Sequence, residues 1–348
     1  MKKITFLVYF LFIQLISFSQ GTKFSKVDLD QAINKAKEEN KYIFIDFYTN
    51  WCAPCKLMDR DVFPQEQVGN YFNEKFVSIK VNAEKEGVDL AKKYNIKAYP
   101  TFVILDENGN LVHLFAGGVL DGEKFIKKVD QSFNPEKAYG VLKKRYDSGK
   151  RDIELQSAYL QALINTHTIK PDSLVDVFYN GLSKEEKISE ETLFVFEMFA
   201  PLDSERANFL ETNRNKFRKV AGTKKVDSIL RSKYESYFTK IVKGYAQDTS
   251  VRELEKIEEH VVSLGISNLK ALPVFESGAR LQLTKKGKED FLKEVENTIP
   301  KLTNNEKDIM LYLIVPGLKK ILSDKEKENL IAMVSDEDVK GYITRSIN

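Results

Sequence analysis

Only two cysteines occur in 348 residues, three positions apart in the stretch FYTNWCAPCK (residues 47–56), beside the only tryptophan. This pair constrains the local fold more than any other feature. Lys41 to Tyr48, KYIFIDFY, is an apolar, β-rich run of the kind expected in a strand covered on both faces. A strand ending at Tyr48 and a helix beginning around Cys52 put the first cysteine at a helix N-terminus. Unpaired N–H groups and the helix dipole there favour an anion, and thiolate is the reactive form of cysteine. Cys55 lies one turn on, on the same side, placed to attack a mixed disulfide that Cys52 forms with a partner. Pro54 restricts the backbone between them. Lys56 adds a nearby positive charge.

The length predicts two domains. A hydrophobic content of 42% with 30% charged residues describes a soluble chain able to bury a real core. The net charge of +3 is small and interspersed, which argues against a nucleic-acid partner. Lys2 and Lys3 precede an apolar run, Ile4 to Phe18, of 15 residues, shorter than the roughly 20 needed to span a bilayer. Ser17-Phe18-Ser19 supplies a small-x-small cleavage pattern, so residues 1–19 read as a secretory signal peptide. The alternative is an uncleaved anchor, the one route to a membrane association. Exported chains often carry several paired cysteines. This one keeps none outside the pair, and a chain of its size can fold without staples. The sulfurs therefore read as chemical rather than structural.

From Thr22 to about Phe133 helices and strands alternate. Val27–Asn40 is a charged helix with Leu29, Ile33 and Ala36 on one face; Lys75–Ala83 is a strand and Gly87–Ile96 a helix. Thr101–Phe115 reads as a hairpin, because Asn108-Gly109 suits a tight turn with positive φ. Asp121–Val129 is a closing helix with Phe125, Ile126 and Val129 inward. The sum is a mixed sheet with helices on both faces. After Asn134-Pro135 the strand signal almost vanishes. Leu155, Tyr159, Ala162 and Leu163 recur at helical spacing, as do Val226, Ile229, Leu230, Tyr234, Tyr237, Phe238, Ile241 and Tyr245. Prolines 171, 201, 273, 300 and 316 sit near breaks, and roughly ten short helices fit the remaining length. The expected division is residues 20–133, then an all-α domain over 134–348.

IFIDFYTNWCAPCK followed by YNIKAYPTFVIL resembles the thioredoxin family over about residues 22–133. Asp59-Arg60-Asp61-Val62-Phe63 after the helix also looks like the secreted and periplasmic branch of that family. The resemblance implies a thioredoxin-like α/β fold with Cys52 as nucleophile and Cys55 as resolving thiol. It implies that Asp46 is a buried acid, raised in pKa by burial and able to exchange a proton with Cys55. Lys80 matches the lysine that neighbours this acid. Pro100 matches the cis-proline over the disulfide, flanked by Tyr99 and Thr101, and Tyr99's backbone is placed to pair with an extended substrate. Trp51 is expected to shield the site. Ala53 and Tyr99 depart from the common residues, which bears on redox potential and substrate preference.

Other readings of the pair stay open on the residues alone: two zinc ligands, although only His113, His167 and His260 remain as partners, or an inert disulfide. The leading expectation is an extracytoplasmic thiol–disulfide oxidoreductase, periplasmic or secreted, that reduces disulfides of client proteins. It needs no cofactor beyond the Cys52–Cys55 redox pair and no metal. An upstream thiol donor, plausibly membrane-embedded, is implied. The alternatives are a disulfide oxidase or isomerase, or a client-binding helical protein with a regulatory thioredoxin-like domain.

Overall fold

The structure, a computed structural model, describes residues 21–246 and 248–347. The expected signal segment lies outside the described residues. Among those described, no helix is long and apolar enough to cross a membrane.

The first compact unit runs through Phe178. Helix α1 (Leu29–Glu39) starts at a capping box, in which the Asp28 carboxylate accepts from the Gln31 N–H and the Gln31 side chain accepts from the Asp28 N–H. It ends at Asn40 in the left-handed conformation. Strand β1 (Tyr42–Tyr48) follows, then α2 (Ala53–Leu57), a π-helical turn (Met58–Val62) and α3 (Glu66–Lys75). Strand β2 (Phe76–Asn82), α4 (Val88–Lys93), the hairpin β3 (Thr101–Leu105) and β4 (Leu111–Ala116), and α5 (Gly122–Val129) complete the alternating part. The sheet order is β2-β1-β3-β4, with β1 and β2 parallel and the other pairs antiparallel. The hairpin turn carries Gly109 at φ 82°, and the Asp106 carboxylate accepts from the N–H groups of Asn108 and Asn110.

Alternation along β1 divides the core in two. Phe44 faces an aromatic layer with Phe72, Phe102, Phe115 and Phe125; the Phe44 and Phe72 rings meet edge to face at 4.7 Å. Ile43, Ile45 and Phe47 face the other way, against Ala32 and Ala36 of α1 and Ala91 of α4. Two further helices share this second layer: α6 (Tyr139–Asp147) and α7 (Ile153–Ile164) contribute Tyr139, Leu142, Leu155, Tyr159 and Leu163. The joint with β4 is close. The Tyr139 N–H donates to Nδ1 of buried His113 at 3.0 Å, and a Cβ at Gly140 would collide with the Leu111 carbonyl. Burial pulls His113 down to about 4, so the ring is neutral at ordinary pH.

The packed unit extends beyond residue 134. Asn134-Pro135 ends the alternating pattern, but the next two helices still belong to the same core. The boundary between the compact units falls between Phe178 and Tyr179, within α8 (Asp172–Gly181).

The second unit is helical: α9 (Leu193–Met198), α10 (Glu205–Thr212), α11 (Arg214–Ala221), α12 (Thr223–Val242), α13 (Val251–Leu264), α14 (Leu272–Thr284), α15 (Lys288–Thr298), α16 (Asn304–Ile314), α17 (Asp324–Ala332) and α18 (Glu337–Ile347). With α6 to α8 that makes thirteen α-helices among the described residues after 134, against the roughly ten expected there. The breaks at Asn213 and at Gly222, φ 85°, involve no proline and so escaped a proline count. Helix α12, at 20 residues, buries Val226, Ile229, Leu230, Tyr234, Phe238 and Ile241 as their spacing predicts. Tyr245 does not belong to this face. Gly244 takes φ 75° after the helix end, and Tyr245 is exposed.

Two outcomes follow from the α6–α7 packing. A fragment of residues 21–178 should melt cooperatively, whereas 21–133 should melt lower and bind a hydrophobic dye. Removing each fully buried partner side chain costs about 1.5–3 kcal/mol. Gly140→Ala should destabilise the first unit by about 1–3 kcal/mol in urea denaturation, since the neighbouring backbone leaves no room.

Candidate active site

The turn Thr49-Asn50-Trp51 carries the chain from β1 into α2. The Cys52 N–H donates to the Thr49 carbonyl at 3.2 Å, and Cys52 takes extended backbone angles as the N-cap of α2. Its Sγ accepts from the Cys55 N–H at 3.1 Å. The two cysteines form a disulfide, with Cα atoms 5.4 Å apart. This is the expected geometry of a sulfur at a helix N-terminus. When the pair is reduced, the same N–H and the dipole stabilise negative charge on Cys52. Cys52 and Cys55 are only 2% and 3% exposed. Ala53, Pro54 and Lys56 face solvent.

Trp51 is 65% exposed, so it covers the pair less than expected. Its ring is nevertheless fixed. Nε1 donates to both carboxylate oxygens of Glu84 at 2.9 and 3.0 Å, and the ring meets Tyr99 edge to face at 5.8 Å. Glu84 was not singled out from the sequence; nothing distinguished it from Glu86 two residues on. It is held by the loop after β2, where the Asn82 side chain accepts from the Glu84 N–H and donates to Asn50. Gly87 closes this loop against Val81 and the Asn82 carbonyl, leaving no space for a Cβ.

The Tyr99–Pro100 peptide is cis, as the resemblance implies. Pro100 is buried and its carbonyl accepts from the Gly117 N–H at 2.8 Å. Thr101 is buried and donates to the Ala98 carbonyl at 2.7 Å, fixing the turn that presents Tyr99. Burial and the Glu84 charge push the Tyr99 phenol upward. Gly118 completes the rim: a Cβ there would stand 3.6 Å from Pro54 Cβ.

Beneath the π-helical turn that continues the cysteine helix lies a charged cluster. Asp46 is buried and projects from β1 on the face that carries Phe44, the face covered by Met58, Val62 and Phe63. Its register partner across the parallel pair is Lys80, whose Nζ lies 3.3 Å from Asp46 Oδ2. Asp59, from the π-helical turn, bonds the same ammonium. Lys80 also lies over the rings of Phe24 and Tyr48, 5.2 Å from each centroid. Among the described residues, Asp46 Oδ1 has no hydrogen-bond partner. Burial pushes Asp46 up to about 6; Lys80 pulls it down and the Asp59 charge raises it. A carboxyl that changes protonation near neutral pH, with one oxygen free, suits proton exchange. The resemblance pointed to Asp46 and Lys80, but not to Asp59 as their third member.

Among the described residues no group of three or more His, Cys, Asp or Glu is placed to hold a metal.

A family model described as a thioredoxin-like domain matches residues 29–133. Thioredoxin-T of Drosophila melanogaster is 37% identical over 107 residues, 31% of this chain and 62% of that protein. Thioredoxin-1 of Caenorhabditis elegans is 32% identical over 105 residues, 30% of this chain and 84% of that protein. The solution structure of a protein put forward as a disulphide isomerase, from Bacteroides thetaiotaomicron, is 37% identical and covers 33% of this chain and 95% of that one, with a TM-score of 0.31. The match spans less than two-thirds of Thioredoxin-T, and of chloroplastic Thioredoxin Y of Oryza sativa, of which it covers 65%. Through residues 29–133, with Cys52 and Cys55 joined as a redox-type pair and a cis peptide before Pro100, the chain belongs to the thioredoxin family.

Proposed function

We propose that this chain is an extracytoplasmic thiol–disulfide oxidoreductase that reduces disulfides of client proteins. The observation that carries the reading is the buried Asp46 carboxyl, with one oxygen unpartnered among the described residues, on the sheet face covered by the π-helical turn that continues the cysteine helix. In the reduced protein the Cys52 thiolate attacks one sulfur of a client disulfide. A Cys52–client bond forms, the client S–S bond breaks, and the departing client thiolate takes a proton from water. Ionised Asp46 then accepts the Cys55 proton. The Cys55 thiolate attacks Cys52 Sγ, the mixed disulfide breaks and the second client sulfur leaves. Two electrons have passed to the client and the Cys52–Cys55 disulfide remains. An upstream thiol must restore the dithiol. Lys2-Lys3 and the apolar run after them support action outside the cytoplasm.

Insulin reduction by the full chain with a dithiol donor tests this reading, and no turnover above the Cys52→Ser variant would defeat it. A reduction potential well above about −270 mV would turn the direction toward oxidation. Cys55→Ser should accumulate the client mixed disulfide, seen as a reducible shift on a gel.

Asp46 generates two pH predictions. Its folded pKa of about 6 exceeds the ordinary 3.8, so the folded state holds the proton more tightly. Wild-type stability therefore falls as pH rises through this window. Asp46→Asn, which lacks the titration, should gain about 3 kcal/mol relative to wild type between pH 3 and pH 7 in urea titrations. Client release should slow as pH falls through about 6 in the wild type and lose that dependence in the variant. Asp59→Asn removes a charge that raises Asp46 and leaves Lys80 to Asp46 alone, so the midpoint of that release profile should move to lower pH.

A further inference from the structure

The chain between α7 and α8 lies beyond the residues the family model matches, yet it is bonded to both segments that flank the cis peptide. The Asn165 carbonyl accepts from the Ala116 N–H at 2.9 Å, next to Gly117, whose own N–H donates to Pro100. The Thr168 carbonyl accepts from the Asn95 side chain at 3.0 Å, four residues before Tyr99. Tyr99 packs against the core layer that includes Ala162 and Leu163 of α7.

This segment is a built turn. Thr166 and Thr168 are buried, their hydroxyls are 2.8 Å apart, and Thr166 Oγ1 donates to the Leu163 carbonyl at 2.7 Å. His167 between them takes φ 52°. The anchored threonines leave His167, Ile169 and Lys170 at the surface; Ile169 is 44% exposed. Lys97 and Lys170 stand two residues beyond the two ends of the Asn95–Thr168 bond. Both are exposed, and neither makes an ion pair among the described residues. In the sequence around them, Asp172 stands two residues beyond Lys170, Asp89 of α4 pairs with Lys92, and Glu84 is engaged by Trp51.

We infer that the Asn165–Lys170 turn is a client-recognition wall of the redox site, selecting extended disulfide-bearing segments with acidic residues beside the cysteine. The inference deepens the reductase reading and rests on it. A segment lying along Tyr99 meets the turn on the side of Ala116 and Asn95, where Lys97 and Lys170 supply exposed positive charge not tied up in ion pairs. Charge of this kind acts on capture and partner choice rather than on the sulfur chemistry.

The experiment compares two synthetic disulfide peptides, with Asp or with Lys flanking the cysteine, as substrates of the full chain at low salt. Wild type should prefer the acidic peptide, and the preference should fade at 1 M salt, where the screening length falls to about 3 Å. Lys97→Glu with Lys170→Glu should raise KM for the acidic peptide about five-fold and lower it for the basic one, at constant kcat. Lys170→Gln alone should give a smaller change in the same sense, and serves if the double variant fails to fold. A change that is equal for both peptides, or no change, overturns the recognition wall while leaving the reductase reading intact. A wild type that reduces neither peptide nor a small disulfide overturns both.

Discussion

A carboxyl group held in the middle of a sheet, away from water, is the constraint around which the first unit is arranged. Isolated, a buried carboxylate is costly enough to neutralise itself rather than remain charged. Here the strand register places Lys80 across from Asp46, and the π-helical turn brings Asp59 to the same ammonium. One cation is thus divided between two carboxylates, and the buried one is left under-compensated. The result is an acid whose two protonation states are both accessible near pH 6.

Much of this arrangement was legible in the sequence, because it depends on short-range pattern. KYIFIDFY reads as a covered strand, Asn108-Gly109 as a turn, and the cysteine spacing as a helix start; the structure contains each. The cis peptide at Pro100 was accessible only through the resemblance, since most X–Pro bonds are trans. What escaped depends on side chains meeting across long separations. Asp59 follows the cysteine helix with no local sign that it would share Lys80. Glu84 sits in an acidic loop, where its engagement with Trp51 depends on how the Asn82 and Asn50 side chains tie two turns together.

The packing of α6 and α7 onto the first unit was hidden for a related reason. Asn134-Pro135 is a sound break in secondary structure, but a break in pattern is not a break in packing. Leu142, Leu155, Tyr159 and Leu163 look like the inward faces of any helices, and their spacing carries no address. It takes the close approach at Gly140 and the His113–Tyr139 hydrogen bond, together with the shared core layer, to show that they close the β4 side of the first unit. The same kind of limit explains Tyr245. Its spacing continues that of α12, while Gly244 turns the chain away before it.

The attachment of α6 and α7 also bears on how the sheet avoids joining other sheets. The outward N–H of Ala116 on β4, a group that could template another strand, is taken by the carbonyl of Asn165. At the opposite margin, Phe24 bridges to Ser78 and the Ser25 N–H bonds its carbonyl, so β2 too is partly capped by its own chain. Unguarded sheet edges invite edge-to-edge aggregation. A four-stranded sheet blunted on both flanks by its own chain is protected from polymerising with its copies.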